Sequence, residues 1–221
     1  MKITVKIIII FLFVLIILIG LTFVLSGFKK NVPSETNNSS QEQTQKTAPA
    51  SPQKAAEIVE PISHAKDRVT KKPFGIYITP SNSPIQPERF TGYHTGTDFE
   101  VTNAELTQVI AVSALCEGKI LIKQWVSGYG GVIIQSCNIN NEAVTVLYGH
   151  LDINGSNIPA VGSSITAGEH LATLGAAYSH DTDGERKHLH VGIHKGTEID
   201  YSGYVQNKNE LSSWIDAMTL L

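Results

Sequence analysis

From Ile7 to Leu25 the chain runs nineteen residues without a charge, IIIIFLFVLIILIGLTFVL. As a helix rising about 1.5 Å per residue this run spans about 28 Å, close to the hydrocarbon thickness of a bilayer. The apolar core of a signal peptide is shorter, about 7–15 residues, and ends in a small-x-small cleavage site that Val24-Leu25-Ser26 imitates poorly. Residues 1–28 therefore read as one transmembrane helix, an uncleaved signal anchor. No cysteine follows the run, which excludes a lipoprotein anchor. Lys2, Lys6 and the terminal amine lie on one side, Lys29 and Lys30 on the other. That balance tilts the short N-terminus inward and leaves the large C-terminal part extracytoplasmic.

Residues 29–71 are rich in Ser, Thr, Asn, Gln, Pro, Ala and Lys and contain no aromatic residue. Such a segment cannot bury enough apolar surface to offset its ordering entropy, so it is expected to be a flexible, disordered linker. His64, within it, reads as an idle solvated residue. Residues 1–70 carry eight Lys/Arg against five Asp/Glu, and residues 71–221 carry nine against fifteen. The globular part is acidic and lacks the basic footprint needed to grip phosphate backbones, which argues against nucleic-acid binding.

After Pro73 the texture changes to short β-branched runs divided by Gly and Asn. Val109–Cys116, Lys119–Gln124, Val132–Cys137, Ala143–Leu147 and Leu189–Ile193 have strand length, and Ser127–Gly131 and Asn138–Asn141 are turn-like. Leu211, Trp214, Ile215 and Met218 fall at helical spacing. The expected fold is mainly β, an antiparallel sheet domain over residues 72–221 with a short C-terminal helix. Cys116 and Cys137 close a loop of about twenty residues. An exported domain favours their oxidation, but strands separated by a third would hold them too far apart, so disulfide and buried thiols both stay open.

Histidines carry the chemistry. In Lys187-His188-Leu-His190-Val-Gly192-Ile-His194, alternation sends Leu189, Val191 and Ile193 to one face of a strand and the histidines to the other. In His94-Thr-Gly-Thr-Asp98, an even offset lets an imidazole and a carboxylate share one side of an extended segment, as a zinc site requires. In Val144-Thr-Val-Leu-Tyr-Gly-His150, a strand delivers a histidine at its end, after a glycine that leaves space beside it.

The ordered set of His-x-x-x-Asp, Tyr-x-His-Leu and His-x-His resembles the LytM/lysostaphin-type zinc endopeptidases, family M23. The likeness runs from about Phe74 to Ile215 and includes Gly92-Tyr-His-Thr-Gly-Thr-Asp98, Gly128-Tyr-Gly-Gly131, Tyr148-Gly-His-Leu151 and Lys187-His-Leu-His-Val-Gly192. It implies one Zn²⁺ held by His94, Asp98 and His190, with His150 and His188 as the catalytic histidines. Which of the two is the general base stays open; we take His188 beside the water and His150 toward the oxyanion. Together with the anchor read above, the resemblance implies a metallopeptidase held at a bacterial cell membrane and cutting peptide cross-links or stems of peptidoglycan. The alternative is a non-catalytic relative that binds the wall or activates another hydrolase; such relatives typically lose ligands or catalytic histidines, and this chain keeps all five. Many relatives have a short Gly/Ser/Thr loop before His-Leu-His, where this chain has the charged Ala176–Lys187. His180, Asp181 and Asp183 there read as solvated before they read as metal ligands. His194 is expected at the rim of the site, His170 on the surface, and Tyr93 and Tyr148 in packing roles. The bond cut and the oligomeric state are not legible.

Overall fold

Strands carry most of the regular structure in residues 57–221, the part that the computed structural model describes. The expected anchor at 1–28 and the linker up to residue 56 lie outside the described residues. Among the described residues, no helix is long and apolar enough to cross a membrane.

In chain order the strands are β1 (Tyr77–Ile78), β2 (Gly92–His94), β3 (Gly96–Glu100), β4 (Ala111–Ser113), β5 (Gly118–Val126), β6 (Gly130–Ile139) and β7 (Glu142–Gly149). They continue with β8 (Leu151–Asp152), β9 (Ser164–Ile165), β10 (His170–Leu174), β11 (His188–Lys195), β12 (Tyr204–Val205) and β13 (Trp214–Ile215). Every pairing is antiparallel, as expected. The main sheet runs β13-β11-β7-β6-β5-β9, with β3 also on β11; β1-β2-β12 and β4-β10-β8 form two small sheets. The tight link from β6 to β7 comes from Asn140 and Asn141, with φ of 52° and 66°. Two successive left-handed residues give a turn whose twist matches the strands it joins, and asparagine tolerates that region well.

Alternation then sorts the two faces of the main sheet. Phe99, Ile133, Val146, Tyr148, Leu189, Val191 and Ile193 point into one core with Val112, Leu115 and Leu171, all 1% exposed or less. Burying side chains of this size stabilises by about 1.5–3 kcal/mol each, as an upper bound. Tyr148 belongs to this core rather than to the histidine face: its hydroxyl accepts from the Leu115 N–H and donates to Gln135 Oε1, both at 2.8 Å. The opposite face holds a smaller cluster of Tyr129, Val132, Ile134 and Leu147 beside the histidines.

Two sequence expectations are modified, and one question left open is resolved. Residues 58–71, read as the end of the linker, pack on the domain. Ile62 and Ala65 are buried, the Val59 N–H donates to Leu115 O at 2.9 Å, and Arg68 O and Lys72 O accept from the Glu100 and Asp98 N–H groups at 2.9 and 3.1 Å. Those amides lie on the edge of β3 away from β11 and would otherwise be unpaired, so a covering segment satisfies them. Next, the expected C-terminal helix is two 3₁₀ turns, Lys208–Ser213 and Ala217–Thr219, on either side of β13. Trp214 and Ile215 are extended because they pair with His194 and Ile193 of β11 beyond the end of β3. Lastly, Cys116 and Cys137 are disulfide-bonded with Cα atoms 6.1 Å apart. No third strand intervenes, since Cys116 leads into β5 and β5 pairs directly with β6.

Candidate metal centre

Register assembles the site. β11 pairs with β3 so that His188 faces Glu100, His190 faces Asp98 and Gly192 faces Gly96. On its other side β11 sets His190 against Gly149 of β7. A carboxylate and an imidazole thus become cross-strand neighbours on the face away from the core. His94 arrives differently. The chain leaves the small sheet at the end of β2, bends at Thr95, whose N–H donates to Gly203 O at 3.1 Å, and enters β3 in the main sheet. His94 and Asp98 therefore do not share a strand face, as the even offset suggested; they converge from two sheets.

Three donor atoms meet there. His94 Nε2 lies 3.2 Å from His190 Nδ1, His190 Nδ1 lies 3.0 Å from Asp98 Oδ1, and Asp98 Oδ1 lies 3.4 Å from His94 Nε2. Zinc bonds of about 2.0–2.1 Å in tetrahedral geometry put neighbouring ligand atoms about 3.3–3.4 Å apart, so this triangle fits one small divalent ion. Among the described residues it is the one such group. The ring of His94 is oriented by its Nδ1, 3.3 Å from Pro73 O; donating there leaves the Nε2 lone pair facing inward. Gly96 is required beside His190, because a Cβ at that position would overlap the imidazole. Burial pushes the His94 imidazole down to about 4. Burial alone would raise the Asp98 carboxyl, but the neighbouring imidazoles, His188 first, outweigh it and hold the group well below the usual carboxylate range. Neutral imidazoles and an ionised carboxylate are the protonation states that bind metal.

His150 and His188 stand beside this triangle with ring centroids 4.2 Å apart. His150 follows β7 in the left-handed region, φ 65°, its N–H donating to Tyr129 O at 3.1 Å. That backbone turn swings the side chain onto the histidine face. Its Nδ1 is buried with no hydrogen-bond partner in the protein. Burial, then the proximity of His188, depresses its basicity well below the usual imidazole range. His188 sits with Nδ1 2.9 Å from Arg186 O and Nε2 3.3 Å from Asp98 Oδ2. A cleft of about 300 Å³ opens over these groups; His94, His150, His188 and His190 line it, with Tyr129 and Tyr204 among its aromatic walls.

Several neighbours were not singled out from the sequence. Arg186 Nη2 donates to Asp98 Oδ2 at 2.8 Å, and its Nε donates to both oxygens of Glu100 at 3.0 Å. Lys72 Nζ pairs with Glu88 at 2.6 Å and donates to the Tyr204 hydroxyl at 3.2 Å. The Tyr129 ring meets His190 edge-on at 5.0 Å and occupies the space that Gly149 leaves empty. One signal was present: Glu100 is two residues from Asp98 on a strand and shares its face, and a second buried carboxylate needs a cation.

The remaining flagged residues lie outside the centre. His180 stacks on Trp125 at 5.3 Å, and Asp183 Oδ2 accepts from the Gly128 N–H at 2.7 Å, so that loop is tied to its neighbours. Asp181, part-buried, has its carboxyl raised by burial and then by Asp152. His194 packs edge-on against Trp214 at 4.8 Å, with Nε2 3.9 Å from Asp200. His64 and His170 are exposed, and Tyr93 meets Tyr77 at 4.7 Å.

The profile described as Peptidase family M23 matches residues 92–201. No curated protein matches the chain. Among solved structures, that of LytU is 21% identical with a TM-score of 0.44, covering 68% of this chain and 84% of its own. Helicobacter pylori Csd3 is 20% identical with a TM-score of 0.39, covering 69% of this chain and 34% of its own. Lysostaphin is 26% identical with a TM-score of 0.37, covering 55% of this chain and 44% of its own. The chain thus spans less than half the length of the last two.

Proposed function

From a domain that belongs to peptidase family M23, we infer that this chain is a zinc endopeptidase that hydrolyses peptide bonds of peptidoglycan, in cross-links or stem peptides. The observation that carries this reading is the triangle of His94 Nε2, Asp98 Oδ1 and His190 Nδ1, with edges of 3.0–3.4 Å. Three protein ligands leave one tetrahedral position for a reacting water, as hydrolytic sites do and closed structural sites do not. Zinc bound there supplies a Lewis acid and lowers the pKa of its water to about 7.

The rest is the work of the chain's own side chains. His94, Asp98 and His190 would hold the ion, the first two being fixed by the Pro73 carbonyl and the Arg186 guanidinium. His188, tethered through Nδ1 to the Arg186 carbonyl, takes a proton at Nε2 from the attacking water and returns it to the leaving amine. His150, with rings 4.2 Å from His188, faces the carbonyl oxygen as it gains charge. Tyr129 and Tyr204 wall the cleft and narrow the access of solvent to the reacting bond.

The anchor at residues 1–28 and the linker from residue 29 extend the proposal: the peptidase domain stands outside a bacterial cell membrane, in reach of the wall. The full-length chain in detergent, given defined muropeptides, should release products whose summed mass exceeds the substrate by one water per cut. Intact substrates after incubation with the zinc-loaded chain would overturn the reading in favour of a wall-binding relative.

A further inference from the structure

Asp98 has two oxygens and only one belongs to the donor triangle. Oδ1 faces His94 Nε2 and His190 Nδ1, whereas Oδ2 points away and is met by Arg186 Nη2 at 2.8 Å and His188 Nε2 at 3.3 Å. Arg186 is itself held. Its Nε lies 3.0 Å from each oxygen of Glu100, its carbonyl faces His188 Nδ1 at 2.9 Å, and its side chain is about 10% exposed. Glu100 is anchored in turn: it is paired opposite His188 in the sheet, and Lys71 Nζ stands 3.5 Å from its Oε2. The planar guanidinium therefore bridges two carboxylates of one strand face, a task that needs a fork of donors at fixed angles.

We propose that Arg186, clamped by Glu100, is a positioning residue that pins the outer oxygen of Asp98 so that the carboxylate offers a metal ion one oxygen only. The inference rests on the metal-site reading above. A carboxylate free to rotate can turn both oxygens to an ion, raising the coordination number and filling the place reserved for water. Pinning Oδ2 prevents that rotation. It also gives Oδ2 a cationic partner at 2.8 Å, closer than His188 Nε2 at 3.3 Å. Loss of such outer contacts to a ligand weakens metal binding by about 10–100-fold.

The test uses the full-length chain stripped of metal and titrated with Co²⁺, whose visible d–d bands report coordination number without any turnover, and with Zn²⁺ against a competing chelator. Arg186→Gln should lower the intensity of the d–d bands, as a further oxygen joins the ion, and weaken zinc about 10-fold or more. Arg186→Lys, which keeps a charge and one donor, should recover part of both. Glu100→Gln, which loosens the anchor and spares Arg186, should shift the bands in the same direction by less. Arg186→Gln with wild-type bands and wild-type zinc affinity would overturn the clamp. Should that variant fail to fold, Arg186→Lys and Glu100→Gln spectra both superimposable on wild type would overturn it instead. A wild-type chain that binds neither ion overturns the metal-site reading itself, a result distinct from wild-type binding with unresponsive variants.

Discussion

His190 on β11 stands directly opposite Asp98 on β3, and their Nδ1 and Oδ1 atoms come within 3.0 Å. This one cross-strand pair fixes where the candidate metal centre lies. On the other side of the same strand His190 faces Gly149, and the residue after that glycine is His150. A single register thus supplies two of the three candidate ligands and brings His150, the proposed catalytic histidine, to the same place.

That division of labour separates binding from chemistry. His188→Ala and His150→Ala should each lower hydrolysis by at least about 10²-fold, the usual scale of a positioned acid or base, while retaining zinc. Asp98→Ala should lose metal and activity together. Zinc content by elemental analysis, read beside product mass spectra, checks both; zinc stripped by His188→Ala would reverse the roles given to these residues.

Gly96→Ala should damage the centre, because the new methyl group lands on the His190 ring and also presses on the Val191 carbonyl of β11. Overpacking of this kind costs about 1–3 kcal/mol. The expected outcome is a folded chain with weakened zinc affinity, measured by chelator competition. Unchanged affinity would mean the ring moves freely there.

Acid should destabilise the metal-free chain in a defined window. In the unfolded chain His94 takes up its proton near 6.5, whereas burial holds it unprotonated in the fold down to about 4. The unfolded state binds more protons between those values, so stability is fully present above 6.5 and is lost as pH falls toward 4, by an amount on the order of 3 kcal/mol. His150, also held down by burial, adds in the same direction. Thermal melts of the chelated chain from pH 7 to 4 check this; melts independent of pH across that range would contradict it.

The disulfide should matter for stability and little for catalysis. Cys116 and Cys137 lie in the core on the face away from the histidines, closing a separation of 21 residues. A loop of that size adds about 3 kcal/mol in the chain-entropy model. Replacing both cysteines by serine should lower the melting temperature while hydrolysis at 25 °C stays near wild type. Loss of zinc in that variant would show that the core and the site are less separable than their placement indicates.

What the sequence determined by itself was local in character. Alternation over Leu189–Ile193 separates a core face from a histidine face, and it does so in any sheet the strand might join, because the period of a strand is two. The kinds of donor, and their delivery by strands, were legible for the same reason. The tertiary structure decided what depends on pairing between distant segments. The approach of His94 from a second sheet, the seat of Arg186 between Asp98 and Glu100, the packing of residues 58–71 along β3, the extended conformation of Trp214-Ile215 and the bond between Cys116 and Cys137 all follow from which edge meets which. Unpaired backbone groups on an edge must be satisfied by whatever segment can reach them, and no local pattern of side chains says which one will.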